Sequence, residues 1–168
     1  VAQSVLLMTM AVGSGTTVFR NCLIAGNSHV TAKSPLVCYY NATHNVEFDN
    51  CTIVDNTMNA VENVTETWAA SFKCMNTVIY GNEASGAKAG FTANAAPNVT
   101  YTAADNPVNL TIDATTGNID LSATDPKFTD PANGVYALKS SSPLRDKGVA
   151  GDWAKVEGCT DLGDGTYT

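Results

Sequence analysis

The chain has 168 residues and a formal net charge of -7, with 9 Lys and Arg against 16 Asp and Glu. Apolar residues make up 44% of it and charged residues only 15%. This composition excludes a disordered tail, because such tails are low in hydrophobicity and high in charge. It also excludes a coiled coil, because a coiled coil needs charged positions beside its seam. Because the chain is acidic and has no cluster of Lys and Arg, we expect no nucleic-acid partner.

The first apolar run, residues 5–12, is interrupted by Thr9 and stops at Gly13. A membrane-spanning helix needs about 20 apolar residues, so the run predicts a buried strand and no membrane span. The first basic residue is Arg20, too far along for the basic start of a signal peptide. Since the chain begins with Val1 rather than Met, we expect the natural protein to extend further in the N-terminal direction.

Three ten-residue blocks repeat without gaps in the first half of the chain, at residues 18–27, 47–56 and 73–82. Each block alternates apolar and polar residues on both sides of a central asparagine, which predicts two short strands. Asparagine tolerates the left-handed backbone that a corner between strands needs. A further candidate strand precedes each block. Three short strands in each repeat of about 26 to 29 residues predict a parallel β-solenoid.

Stacking of coils about 4.8 Å apart places equivalent residues directly above one another. We therefore predict a ladder of asparagine side chains, each bonding to the next coil, with members Asn21, Asn50 and Asn76. The thiol of Cys22 is expected over that of Cys51 in the core. The spacing leaves open whether these two thiols are bonded.

Stacking also pairs charges on the outward side of the blocks. Arg20 falls beside Asp49, and Glu47 falls beside Lys73. Opposite charges on neighbouring strands contribute a few tenths to about 1 kcal/mol, so we interpret these four residues as structural rather than catalytic.

The two histidines and the cysteines lack zinc-ligand spacing, and the odd number of cysteines leaves a free thiol in a monomer. The cysteines are Cys22, Cys38, Cys51, Cys74 and Cys159.

The repeat pattern loosens at residues 84–124, which begin with a loop rich in Gly, Ala and Ser and continue as a final irregular coil. We divide the chain into coils at residues 1–124, a closing segment at 125–148 and an acidic, turn-rich tail at 149–168. The sequence indicates no role for the tail.

The closing segment carries five short motifs: Asp-Pro-x-Phe at 125–128, Pro-x-x-Gly at 131–134, Tyr-x-Leu at 136–138, Ser-Pro at 142–143 and Asp-x-Gly at 146–148. It resembles the ending of right-handed parallel β-helix repeat proteins, a pectate-lyase-like group abundant among secreted and surface proteins of bacteria. The blocks at residues 18–82 resemble the coils of that group, so the resemblance covers roughly residues 4–148. The chain departs from the pattern at Ser141, where glycine is common, and at Arg145 and Lys147, where small or apolar residues are usual.

The resemblance implies an all-β fold, a right-handed parallel β-helix with an irregular C-terminal cap, and a location outside the cell or at its surface. A solenoid needs an atypical terminal unit that hides its last apolar layer. We expect Phe128, Tyr136 and Leu138 to cover the open end of the last coil.

The same group includes polysaccharide lyases and hydrolases, adhesins and non-catalytic surface domains. The stacked blocks lack an unpaired couple of carboxylates suited to glycoside hydrolysis, so the catalytic residues are unknown and a non-catalytic scaffold or glycan-binding module is the favoured interpretation. Exposed aromatic residues bind sugars well, and the candidates are Tyr39, Tyr40 and Trp68. The alternatives are a lyase or hydrolase with its site on coils missing from this chain or on the edge at 84–123, and an adhesin segment that self-associates through its N-terminal coil.

Calcium is the only cofactor with any support in the sequence. Carboxylate oxygens suit Ca²⁺, and Asp125 and Asp130 are the candidate ligands in the acidic C-terminal half. The chain has no EF-hand pattern, and aspartates that precede prolines are more often turn formers.

Overall fold

The computed structural model describes residues 6–8, 15–28, 37–39, 44–57, 72–84, 87–88 and 98–149. This part of the chain is all-β and most of its strands pair in parallel. It contains no helix that is long and apolar enough to cross a membrane. The strands are β1 Leu6–Met8, β2 Gly15–Arg20, β3 Leu23–Ala25, β4 Val37–Tyr39, β5 His44–Asp49, β6 Thr52–Val54, β7 Phe72–Met75, β8 Val78–Tyr80, β9 Glu83–Ala84, β10 Ala87–Lys88, β11 Val99–Thr100, β12 Ala103–Ala104, β13 Ile119–Asp120, β14 Phe128–Asp130 and β15 Val135–Leu138.

Two parallel sheets form the body of the fold. The first sheet has the strand order β2, β5, β7, β11, and the second sheet has the order β3, β6, β8, β12, β13. We call the strands of one repeat a level: each of the first four levels places one strand in each sheet, and the last level places β13 in the second sheet alone. Phe19 pairs with Phe48, which pairs with Cys74, as the sequence alignment of the blocks predicts. Stacked parallel strands of this kind are compatible with a β-helix or solenoid.

A left-handed corner joins the first sheet to the second on each of the first four levels. Asn21, Asn50 and Asn76 have φ values of +55°, +54° and +52°, which confirms the predicted corner. On the fourth level the corner residue is Tyr101 at φ +47°, and on the last level Gly117 at φ +65° takes the same place before β13. Asparagine adopts this backbone more readily than most residues, so its recurrence in the sequence follows from the geometry of the corner.

Apolar side chains from alternate strand positions fill the interior between the sheets. Phe48 and Ile53 are each 1% exposed, and Ile79 is fully buried. The equivalent residues of the first level, Phe19 and Ile24, are only half-buried. The Phe19 ring stacks on that of Phe48 with 4.9 Å between centroids. The stack is therefore well packed from its second level onward.

A second column of asparagines, which strand alternation does not predict, lies in the interior after the second sheet. Asn27 Nδ2 donates to Asn56 Oδ1 at 2.8 Å, and Asn56 Nδ2 donates to Asn82 Oδ1 at 2.8 Å. The same two oxygens also accept the backbone N–H groups of Asn27 and Asn56. Asn56 is 1% exposed and Asn82 is fully buried. We call this column the buried ladder.

The closing segment forms an antiparallel hairpin of β14 and β15, joined by a 3-10 helix at Pro131–Asn133. The Phe128 ring contacts Tyr80 edge-on at 6.3 Å and Tyr136 at 5.4 Å. The Tyr136 hydroxyl donates to Asp55 Oδ2, on the second level, at 2.8 Å. The hairpin thus runs back along the side of the second sheet.

The expectation that Phe128, Tyr136 and Leu138 cover the open end of the last coil is therefore wrong. The physical reason is that the outward side of the second sheet is itself apolar and needs cover. The half-buried side chains on the outward side of the second sheet are Val78, Tyr80 and Ile119. Together with Leu138 they pack around a buried cluster of Ala103, Leu121 and Leu144.

Candidate groove on the first sheet

The outward side of the first sheet carries a groove of about 220 Å³. Successive side chains of a strand alternate between the two faces of a sheet. In β5, Val46 and Phe48 are each 1% exposed and fill the interior, so Glu47 and Asp49 lie on the outside. The groove is lined by Arg20, Glu47, Phe48, Asp49, Lys73 and Met75.

Two ion pairs cross the groove from level to level. Arg20 Nε donates to Asp49 Oδ2 at 3.2 Å, and Lys73 Nζ lies 3.8 Å from Glu47 Oε1. Both pairs confirm the charge alignment predicted from the repeats. They differ in exposure, because the Lys73 side chain is 68% exposed whereas Asp49 is 7% exposed. The Arg20–Asp49 pair is partly buried and the Glu47–Lys73 pair is a loose surface pair.

The second carboxylate oxygen of Asp49 is the most unusual atom of the groove. Asp49 Oδ1 is buried and has no hydrogen-bond partner among the described residues. An unsatisfied buried acceptor costs about 1–3 kcal/mol, and more if it is charged. The sequence predicts the ion pair of Asp49 but carries no sign of this oxygen, because its burial depends on how neighbouring side chains close around it.

A second buried aspartate shows the same feature away from the groove. Asp105 is 3% exposed, and its Oδ2 accepts the backbone N–H of Gly81 at 3.0 Å and lies 3.5 Å from Lys88 Nζ. Its Oδ1 also lacks a hydrogen-bond partner in the described part of the chain. Asp105 follows β12 on the other sheet, so it offers a matched comparison for Asp49.

The aromatic candidates for glycan contact fall mainly outside the described residues. Tyr39 ends β4, and Tyr40 and Trp68 are not among the residues that the structure describes. Their assignment to a glycan site stays a prediction.

The calcium candidates each make a local hydrogen bond. Asp125 Oδ1 accepts the backbone N–H of Lys127 at 2.8 Å, and Asp130 Oδ2 accepts Asn133 Nδ2 at 2.8 Å. Within the described ranges, no three His, Cys, Asp or Glu side chains are placed to hold a metal ion together. Calcium binding at Asp125 and Asp130 stays a prediction.

The three asparagines of the predicted ladder make two kinds of contact. Asn50 Nδ2 donates to Asn21 Oδ1 at 2.6 Å. Asn76 instead exchanges two hydrogen bonds with the backbone of Val149, at 3.0 and 2.9 Å. The chain just past the closing segment therefore meets this column at its third level.

The edge at residues 84–123 was a candidate location for catalytic residues. Hydrogen bonds from Thr116 hold the pKa of Asp113 below its ordinary value, and hydrogen bonds from Ser122 do the same for Asp120. A glycosidase acid needs a raised pKa. These two aspartates therefore act as turn formers rather than as proton donors.

Three thiols of the described residues, Cys22, Cys51 and Cys74, are free. Burial raises the pKa of the Cys51 thiol to about 11 and that of Cys74 to about 12. The thiolate is the reactive form of cysteine. Cys51 and Cys74 are accordingly unreactive core residues at neutral pH.

These thiols make the fold sensitive to alkali. A raised folded-state pKa means that the stabilising contribution is complete below the unfolded pKa, 9.0, and is lost as the pH rises toward 11 and 12. We expect the free energy of unfolding to fall by about 1 kcal/mol per thiol between about pH 8 and about pH 10. Urea unfolding under reducing conditions should show a smaller fall in Cys74→Ala. The control Val99→Ala truncates the buried residue that pairs with Cys74 on the neighbouring strand, and it should keep the full fall in unfolding free energy. Equal falls in the unmodified protein, Cys74→Ala and Val99→Ala would contradict this prediction.

The chain was compared with models of protein families, with curated proteins and with solved structures, and no match was found in any of the three. The stacked parallel strands and the groove are therefore the basis for a functional assignment.

Proposed function

We propose that this chain is a right-handed parallel β-helix of the pectate-lyase-like type, secreted or displayed at a cell surface. In this proposal it is a non-catalytic scaffold whose first sheet presents a glycan-binding groove. The in-register parallel levels and the left-handed corners support the architecture. The closing motifs at residues 125–148, which form a hairpin, support the assignment to this group.

The observation that carries the binding function is the groove itself, about 220 Å³ on the outward side of the first sheet, lined by the Glu47–Lys73 ion pair and by Asp49. Sugar hydroxyl groups both donate and accept hydrogen bonds. Glu47 and Lys73 offer an acceptor and a donor beside Asp49, and Met75 offers an apolar contact for the carbon face of a sugar ring. The groove thus combines the polar and apolar contacts that ligand sites usually combine.

A binding assay with three classes of soluble polysaccharide, neutral, amine-bearing and acidic, tests this function. We expect native-gel retention by at least one class. The variant Asp49→Ala should weaken retention about ten-fold, a loss of about 1.4 kcal/mol. The matched control Asp105→Ala removes an equally buried aspartate from outside the groove and should keep binding intact. If Asp49→Ala fails to fold, Glu47→Ala, which removes a more exposed side chain, serves in its place.

Two results would overturn the proposal. Retention by none of the polysaccharides would remove the binding function. Release of cleavage products would show that the chain is a polysaccharide lyase or glycoside hydrolase instead.

Self-association is the second candidate function, and one observation favours it. The first-level residues Phe19, Cys22 and Ile24 are half-buried, whereas their second-level equivalents are 1–2% exposed. In an adhesin segment that pairs through this level, the mass measured by light scattering should rise with protein concentration. A constant monomer mass would exclude this candidate.

A further inference from the structure

We infer that Cys22 and Cys51 form a site of thiol–disulfide exchange, at which a small-molecule disulfide of the oxidised glutathione class creates a covalent bond between the first two levels. Both thiols are free in this structure. The inference does not depend on the glycan-binding groove. It follows from the placement of the two cysteines, from the residues that replace them on other levels and from the looser packing of the first level.

The two cysteines occupy the same position on neighbouring levels, directly after the corner residue. The register of β3 and β6 places Leu23 beside Thr52, so Cys22 and Cys51, one position earlier, are also neighbours. The backbone N–H of Thr52 donates to the carbonyl oxygen of Cys22 at 2.9 Å. In-register parallel strands lie about 4.8 Å apart, and disulfides join residues whose Cα atoms are about 4.4–6.8 Å apart. The spacing therefore allows a bond between the two sulfurs without a change of register.

The Cys51 sulfur lies close to the first level. It is within hydrogen-bond distance of two carbonyl oxygens, that of Asp49 on its own level at 3.4 Å and that of Phe19 on the first level at 3.3 Å. Burial raises the pKa of the Cys51 thiol to about 11, whereas a hydrogen bond from the backbone of Cys22 lowers this pKa and the charge of the Cys22 thiol raises it. Both effects of Cys22 require that it lie next to the Cys51 sulfur.

The fold does not need a thiol at this position. On the third and fourth levels the register places Thr77 and Thr102 there. Each hydroxyl group donates to the backbone carbonyl two residues earlier, at 2.9 and 3.0 Å. The Cys22 thiol makes the same bond, to Arg20 O at 3.3 Å. Because threonine fills the position equally well, packing and hydrogen bonding do not explain cysteines on two adjacent levels, whereas a bond between the levels requires both.

The two thiols differ in access to solvent, and this difference sets the order of the exchange. Cys22 is half-buried and Cys51 is 2% exposed. The Cys22 thiolate attacks one sulfur of the small-molecule disulfide, forms a mixed disulfide and releases one small thiol. The Cys51 thiolate then attacks the Cys22 sulfur and releases the second small thiol. The protein dithiol thus loses two electrons and two protons, and the reagent gains them. Cys51 reacts in the second step because its partner is held beside it.

The bond joins the loosest level of the stack to a well-packed one. Phe19 and Ile24 on the first level are half-buried, whereas Phe48 and Ile53 on the second are each 1% exposed. The two cysteines are about 30 positions apart, and a disulfide that closes a loop of this length restricts the unfolded chain. We expect oxidation to raise the Tm by about 5–10 °C.

Peptide mapping of the folded full-length chain tests the inference. The protein is incubated with oxidised glutathione in mildly alkaline buffer, the exchange is stopped with acid, and the remaining thiols are alkylated in denaturant. Trypsin isolates Cys22 in one peptide, and a protease that cuts after Glu47 separates Cys51 from Cys38. We expect a pair of peptides joined through Cys22 and Cys51, lighter than the two reduced peptides together by the mass of two hydrogen atoms.

Threonine and alanine variants distinguish this pair from general reactivity of the thiols. In Cys51→Thr the link should be lost, Cys22 should be recovered as a mixed disulfide with glutathione, and oxidation should not raise the Tm. The matched control Cys74→Ala removes another buried thiol and should keep both the link and the rise in Tm. If Cys51→Thr fails to fold, Cys22→Thr makes the same replacement on the looser level and should also lose the link.

Three results would overturn the inference. The first is recovery of Cys22 from the oxidised unmodified chain only as a free thiol or as a mixed disulfide. The second is a link from Cys22 to a cysteine other than Cys51. The third is a link between the two that leaves the Tm unchanged or lowers it, because the bond would then not stabilise the first level. None of these results affects the glycan-binding function, whose test is polysaccharide retention.

Discussion

Replacing Asn56 by alanine is expected to lower the free energy of unfolding by about 3–5 kcal/mol, the largest loss that we predict for a single side chain. Its Oδ1 accepts two hydrogen bonds from Asn27, at 3.0 and 2.8 Å. Its Nδ2 lies within hydrogen-bond distance of Ile24 O, Val54 O and Asn82 Oδ1. Alanine removes the acceptor of both Asn27 donors and the side-chain donor to Ile24 O and Val54 O, and it leaves Asn82 Oδ1 with the backbone N–H of residue 56 alone.

The matched control is Asn27→Ala, at the first level of the same ladder. Asn27 is half-buried, so water can bond to part of the groups that its amide leaves behind. We therefore expect the free energy of unfolding to fall by about 1–2 kcal/mol. Urea unfolding of both variants measures the difference. Equal losses of unfolding free energy in the two variants would show that burial does not increase what an asparagine of the buried ladder contributes to stability.

Replacing Gly117 by alanine is expected to cost about 3 kcal/mol through two separate effects. The backbone of Gly117 is left-handed at φ +65°, a conformation that disfavours any Cβ atom. In addition, a Cβ atom here would lie 2.5 and 2.6 Å from Cδ1 and Cε1 of the Tyr101 ring. The ring must therefore move away from its place over the corner of the next level.

Gly134→Ala isolates the first of these effects. Gly134 is also left-handed, at φ +75°, but a Cβ atom there would meet nothing within 4 Å, so we expect a loss of about 1 kcal/mol. In the double variant Tyr101→Ala with Gly117→Ala, the ring is absent and the combined loss should be smaller than the sum of the two single losses. Additive losses in thermal unfolding would contradict the steric part of this prediction.

The contrast between the two columns of asparagines shows how far the sequence predicts the fold. Alternation around Asn21 and Asn50 identifies a left-handed corner, and the same alternation aligns Arg20 with Asp49. The buried ladder was missed because its asparagines follow a second left-handed residue, such as Gly26 at φ +67°. That turn brings the next side chain into the core, where simple alternation of strand residues no longer applies.

Other features of the molecule depend on contacts between distant parts of the chain. The Tyr136 hydroxyl reaches Asp55 across 81 positions of sequence, and no local pattern places the closing hairpin on that face. The unpartnered oxygen of Asp49 is of the same kind, because its burial is a property of the packed groove. The repeat signal therefore predicts the levels well and the surfaces built on them poorly.

The closing hairpin lies along the side of the stack, so the lengths of the last levels bear on association between molecules. The buried ladder joins levels 29 and 26 residues apart, whereas Thr102 and Asn118, which each follow a corner residue on the last two levels, are only 16 residues apart. In the described part, the second sheet gains a strand on the last level and the first sheet does not. An incoming chain would therefore meet two edges at different heights and could not pair with both at once. Short edges of this kind discourage open-ended association, so we expect the same shortening that ends the repeat to limit the templating of one molecule by the next.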